Sequence, residues 1–200
     1  MKKIILFIVS LVFLLTLEGC SAKPVTFEDK DFELGVRKEI NKPSGEITTK
    51  DLKSIKKLSI DDEEGKNIES IKGIEYMTSL EVFGINDSQL SNIEPLSNLN
   101  SLEKLIIDNN QINNIEPLSK LKSLKSLWIF DNNITDISPL TELDKLYLLR
   151  ISQNPITDIS PLLRMDNLKG VTLPPNQDQA VIKQLKDKEV KVDTYKSKYD

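Results

Sequence analysis

Histidine is absent from the 200-residue chain, and cysteine and tryptophan occur once each. Without an imidazole or a second thiol, the chain cannot build a His-containing catalytic dyad, a His or Cys metal centre, or an internal disulfide. Most familiar hydrolytic machinery is thereby removed. Positive charge is also in deficit, with Lys+Arg 27 against Asp+Glu 31 and a net charge of -4. Such a balance argues against a nucleic-acid partner, whose binding rests on a basic surface. The longest apolar stretch, Ile4 to Leu17, is fourteen residues interrupted by Ser10 and Thr16. That is short of the roughly 20 residues a membrane-spanning helix needs.

The same stretch has the length of a secretion-signal core, since it follows Met1-Lys2-Lys3 and runs into Leu17-Glu18-Gly19-Cys20-Ser21. Leu17, Gly19 and Cys20 resemble a bacterial lipobox, with Glu18 in place of the usual small or apolar residue. The resemblance implies a diacylglyceryl group on the Cys20 thiol and cleavage before it. Two acyl chains suffice for stable anchoring. Residues 1 to 19 are therefore expected to be a lipoprotein signal peptide, and 20 to 26 the lipidated cysteine with a short tether reaching roughly 20 Å. Loss of the signal removes Lys2, Lys3 and Glu18 and brings the net charge near -5.

What the chain has in abundance is internal repetition. Leu80, Leu102, Leu124, Leu146 and Leu168 recur every 22 residues, as do Pro95, Pro117, Pro139 and Pro161. A fixed period of this size means stacked units, none of which can bury its apolar face alone. Within one unit, Leu102, Leu105, Ile107, Ile112, Ile115, Leu118 and Leu121 are the apolar positions, and the next two units keep them. Residues 55 to 176 thus resemble the 22-residue leucine-rich repeats of bacterial internalins. An earlier unit carries Ile55, Leu58, Ile60, Ile68, Ile71, Ile74 and Met77, in register if Asp61 to Lys66 hold a three-residue insertion.

The spacing predicts the local structure of each unit. Leu105 and Ile107 alternate along a short strand and point inward, and Asn110 turns the chain by bonding the backbone of neighbouring coils. Asn110, Asn132, Asn154 and Asn176 form that column, with Ser88 at its weaker end. The repeating proline fits the first turn of a short helical segment on the convex side. The expected fold is an α/β solenoid, a leucine-rich-repeat horseshoe with a parallel concave sheet and a 3-10 or helical convex side.

Both ends of such a stack need caps. Phe32, Val36 and Ile40 line one face of a helix that should end near Pro43. Ile47-Thr48-Thr49-Lys50-Asp51-Leu52 reads as a helix start, with Thr48 as N-cap, Asp51 at the third helical position, and Ile47 stapled to Leu52. Residues 27 to 54 are accordingly the helical N-terminal cap. After the repeats, Asp178 to Lys188 suit a helix burying Val181, Ile182 and Leu185, and Val190 and Val192 suit a strand. Residues 177 to 200 are the αβ C-terminal cap and tail.

Function must lie on residues the stack does not need, and the third, fifth and seventh strand positions point outward. The third column reads Lys57, Val82, Lys104, Ser126, Leu148 and Gly170. The fifth is Ser59, Gly84, Ile106, Trp128, Arg150 and Thr172, and the seventh Asp61, Asn86, Asp108, Phe130, Ser152 and Pro174. Ile106, Trp128, Phe130, Leu148 and Arg150 cluster mid-face and are the expected partner-binding residues, because aromatics flanked by Arg suit an interface hot spot. Coverage of the patch by the caps, or packing of Trp128 on Arg150 alone, is the competing account. Asp61-Asp62-Glu63-Glu64 offer oxygen ligands, but consecutive acids on a loop are usually solvated, and neither metal nor cofactor is expected. Asp108, Asp131 and Asp136 form no arrangement with a nucleophile or base, so no catalytic residue and no enzyme is expected.

Internalins use the repeat face to bind proteins, and the resemblance implies a protein partner here. The Lys/Asn/Ile-rich composition and the resemblance together imply a thick-walled bearer, with the domain tethered by lipid to the outer side of the cell membrane. A partner within the bearer's own envelope then fits best. An adhesin contacting a host protein and a structural envelope protein without specific ligand are the alternatives.

Overall fold

The structure, a computed structural model, describes residues 22–60 and 67–194. The signal segment, Cys20 and the acidic run Asp61 to Glu64 lie outside these residues. Seven strands form one open parallel sheet whose spatial order follows the chain: β1 (Lys57–Ile60), β2 (Val82–Ile85), β3 (Lys104–Ile106), β4 (Ser126–Trp128), β5 (Leu148–Arg150), β6 (Gly170–Leu173) and β7 (Lys191–Thr194). From β1 to β6, each strand is joined to the next through a 3-10 turn on the opposite side, and β6 is joined to β7 through a helix. The turns are Ile74–Tyr76, Glu94–Leu96, Glu116–Lys120, Ser138–Glu142 and Ser160–Arg164. Pro95, Pro117, Pro139 and Pro161 sit in the first positions of the last four, where the missing N–H costs nothing. The chain therefore has the predicted leucine-rich-repeat architecture.

The core runs between sheet and turns. Leu105, Ile107, Ile112, Leu118 and Leu121 of one coil are fully buried, as are Leu127, Ile129, Ile134 and Leu140 of the next. The early unit is buried as well, from Ile55 to Met77. The insertion inferred for it falls at residues that are not described.

Asparagine side chains join the coils. The Asn132 amide nitrogen donates to the Ile107 carbonyl at 3.0 Å, and its Oδ1 accepts from the Ile112 N–H at 2.9 Å. Asn110 does the same with Ile85 and Leu90, and Asn154 with Ile129 and Ile134. Ser88 ends the column by donating its hydroxyl to the Ile68 carbonyl. Asn176 does not continue it: Asn176 is exposed, and Gln177 occupies the buried place, donating to the Ile156 carbonyl at 3.0 Å. Backbone geometry explains the slip. Asp87, Asn109, Asp131 and Gln153 each take a left-handed φ of 52° to 56° one residue before the column. The equivalent place after Gln153 is Pro175, whose ring locks φ negative. The left-handed residue is consequently Asn176, and the buried place moves on by one.

Both caps form. Helix α1 (Lys30–Glu39) buries Phe32 and Val36, with Ile40 packed partly against the core, and Asp29 caps it by accepting from the N–H groups of Asp31 and Phe32. Helix α2 (Thr49–Lys53) begins as predicted, the Asp51 carboxylate accepting from the Thr48 N–H at 2.7 Å and its hydroxyl at 2.8 Å. Residues 23 to 25, expected as free tether, belong to the cap. Val25 N–H donates to the Ile47 carbonyl and Thr49 N–H to the Lys23 carbonyl, in an antiparallel bridge between Pro24 and Thr48. Pairing satisfies backbone groups that a tether would leave to water. Gly73, with a φ of 105°, lets the Phe27 ring lie against the first repeat, since a Cβ there would sit 2.7 Å from it. At the other end, helix α3 (Gln179–Asp187) buries Val181, Ile182 and Leu185, and β7 pairs in parallel with β6.

Two predictions test this account. Asn132→Ala should destabilise by about 2–4 kcal/mol, since it strands a buried N–H and carbonyl. Asn176→Ala should change stability by less than about 0.5 kcal/mol, and Gln177→Ala should cost about 1 kcal/mol; urea unfolding of the three variants reads the difference. The Asp51 carboxyl is held down at about 2, chiefly by the Lys42 ammonium at 3.0 Å and then by Thr48. A depressed carboxyl contributes stability that is complete above its unfolded value and disappears as pH falls through the folded one. Asp51→Asn should thus cost about 1 kcal/mol at pH 7 after solvent screening. The gap between parent and variant should close as pH drops from about 4 towards 2.

Candidate functional site

Strand register decides which outward side chains meet. Lys104 aligns with Ser126, Leu148 and Gly170, and in the next row Gly84, Ile106, Trp128, Arg150 and Thr172 follow one another across the sheet. Neighbouring strands in a sheet lie about 4.8 Å apart, so side chains in a row touch. Trp128 occupies the middle strand of seven.

The sequence leads one to expect an open apolar patch here, and the side chains are more closely packed than that. Ile106, Trp128, Phe130 and Leu148 are half-buried, and Arg150 alone of the five is exposed. Among the described residues, the large apolar side chains that stand exposed are Leu34, Tyr76 and Tyr147, none of which lies in the two rows. Cations from both neighbouring strands lie over the indole: the Arg150 guanidinium carbon is 4.0 Å from the ring centroid, and the Lys104 ammonium nitrogen 4.7 Å. Stacking of this kind attracts the cation to the ring face while the alkyl stems shield its carbon. The expected partner Arg150 therefore acts with Lys104, which was placed in the third column but not among the binding residues. Its side chain reaches diagonally to Trp128 from the neighbouring strand, a range open to long side chains on one face of a sheet.

Beside Arg150 lies a depression of about 360 Å³ lined by Asp108, Phe130, Arg150, Ser152 and Thr172. Asp108 Oδ1 accepts the Phe130 N–H at 2.8 Å, just as Asn86 Oδ1 accepts the Asp108 N–H at 3.0 Å one coil earlier. The seventh column is thus a hydrogen-bonded edge of the sheet before it is a surface. Burial pushes the Asp108 carboxyl above its ordinary value, the Phe130 N–H and the Arg150 charge oppose this, and Asp87 adds to the rise. Two buried polar atoms on β4, Ser126 Oγ and Trp128 Nε1, have no hydrogen-bond partner. No group of three or more Cys, Asp or Glu among the described residues could hold a metal ion, and no described helix is long and apolar enough to cross a membrane.

A parallel sheet on one side, 3-10 turns on the other and a buried asparagine column define a leucine-rich-repeat solenoid. The family described as Leucine Rich repeats (2 copies) matches residues 100–142 and 122–164. Among solved structures, an internalin (inlF) from Listeria monocytogenes is 26% identical over 89% of this chain, with a TM-score of 0.67. This chain spans 60% of that internalin's length. An internalin C2 (inlC2) from the same organism is 25% identical, covering 76% of this chain and 98% of its own, at a TM-score of 0.43. No curated protein sequence matches. The repeats of this chain are internalin-like leucine-rich repeats.

The cation-covered indole has a direct optical signature, since Trp128 is the single tryptophan. Replacing both Lys104 and Arg150 by Ala should shift its emission to longer wavelength and raise its quenching by acrylamide. The pair should cost about 1–2 kcal/mol of stability on cation–π and packing grounds. An unchanged spectrum would show that the two cations do not cover the ring.

Proposed function

We propose that this chain is a non-enzymatic protein-binding module, lipid-anchored on the outer side of a bacterial membrane through Cys20, whose concave face receives a protein partner. The observation that carries the reading is the position of Trp128. The only tryptophan stands on the central strand, half-buried in a row of outward side chains that the repeat core does not use. Tryptophan and arginine are the side chains that most often dominate interface energies, and both stand together here. Ile106, Phe130 and Leu148 extend the apolar ground around them.

The anchoring half of the proposal rests on Leu17, Gly19 and Cys20 and on the pairing of Lys23 to Val25 with the cap. Two residues of extended chain reach about 7 Å, so a lipid on Cys20 would hold the N-terminal cap close to the bilayer. A groove at Ala22 is lined by Lys50, Lys53 and the exposed Tyr76. Lysines and a tyrosine suit the headgroup layer of an anionic leaflet. A domain tied down so closely in a thick-walled cell meets partners of the envelope before any on another cell. An envelope protein is therefore the partner we favour over a host receptor.

Two experiments separate the halves. Residues 23–200 keep every described core side chain and can be used as soluble bait against envelope extract, beside a Trp128→Ala/Phe130→Ser variant matched for folding by circular dichroism. A protein retained by the parent and released by the folded variant is the expected result; identical capture by both would remove the concave face from the account. For the anchor, the full-length chain expressed in its bearer should partition into detergent, and Cys20→Ala should not. Equal partitioning would contradict lipidation.

A further inference from the structure

The concave row is unbalanced in its hydrogen-bonding groups. Some lysines pair with acids on the adjacent coil: Lys56 with Glu81 at 2.7 Å and Lys125 with Glu103 at 2.8 Å. Lys104 and Arg150 have no ion pair or hydrogen bond among the described residues, although both are held in place by stacking on Trp128. On the strand between them the indole Nε1–H and the Ser126 hydroxyl also lack partners, but both atoms are buried beneath the surface and beyond a ligand's direct reach. The accessible groups, an ammonium and a guanidinium, are donors only. Asp108, the carboxylate that lines the depression with Arg150, feels its charge and accepts the Phe130 N–H through Oδ1, but forms no ion pair with it.

We infer that Lys104 and Arg150, held against the Trp128 ring, form a carboxylate-receiving clamp, and that the protein partner presents Asp or Glu side chains to it. The inference rests on the concave-face reading above and names the chemistry of its ligand. Arginine's planar fork matches a carboxylate in two parallel hydrogen bonds, and stacking on the indole fixes that fork before binding. Ordering a free arginine or lysine costs rotamer entropy, so prior stacking lowers the cost of engagement. A phosphate polymer is the competing anion. It suits the site less, because its regular charges would run past Asp108 and Asp87 on a chain whose net charge is already -4. One or two discrete carboxylates avoid that repulsion.

The probe is a hexaglutamate peptide with blocked termini, titrated into residues 23–200 and followed by Trp128 emission and by calorimetry. Saturable binding is expected, weakening with added salt, roughly tenfold weaker for Arg150→Gln and weaker again with Lys104→Gln added. Circular dichroism checks that the variants are folded. The clamp is overturned if the peptide gives no saturable response, if the double variant binds it equally well, or if hexalysine or a single-stranded DNA oligonucleotide binds as tightly. Capture of an envelope protein is read separately. Loss of capture in Trp128→Ala/Phe130→Ser, with no hexaglutamate binding by the parent, would remove the clamp and leave the concave face standing.

Discussion

Each asparagine of the buried column serves two coils at once: its amide nitrogen donates to a carbonyl on the coil before, and its Oδ1 accepts an N–H from the loop alongside. A repeat of 22 residues has too little apolar surface to fold alone, and the turns leaving the sheet bring backbone groups inside. Unpaired, those groups would cost about 1–3 kcal/mol each, a large share of the small net stability of a domain. Asn110, Asn132 and Asn154 remove that cost and also fix how far one coil is displaced from the next. The leucines then fill the space so defined; they supply most of the burial, but not the alignment.

Alignment is what turns a scaffold into a surface. Because every coil repeats the last, the same strand position recurs in a straight row, and the row can carry whatever residues the core does not require. At the middle of the sheet the chain places Ile106, Trp128 and Arg150 in one row, with Lys104 reaching in from the row beside it. The indole is neither a core residue nor a bare patch. Two cations from the neighbouring strands lie over its ring, which shields part of it while neither cation is spent in an ion pair. The arrangement reconciles a large aromatic on an outer face with the absence of any wide exposed apolar area around it.

Much of this was readable in the residues. A 22-residue period of Leu and Pro, the Ile47–Leu52 cap and the Asp178–Lys188 segment each became the element expected, because local chemistry and burial agree there. Three features were not readable. Asn176 matches the column by counting, but Pro175 cannot adopt the left-handed turn, and Gln177 takes the buried place. Lys23 to Val25 carry no strand pattern, and only the approach of residues 47 to 49 gives their backbone a partner. Period-2 reasoning sent Trp128 outward correctly yet could not foresee that side chains from both neighbouring strands would cover it, since cover depends on rotamers and not on spacing.

Amide hydrogen exchange on residues 23–200 tests the central claim, that the asparagine column holds the coils in register. The N–H groups of Leu90, Ile112 and Ile134 are bonded to side chains and not to the sheet. They should nevertheless exchange as slowly as the β4 amides, through opening of the whole stack. If these three exchanged orders of magnitude faster than the strands on either side, the column would be a decoration of a stack held together by leucine packing alone.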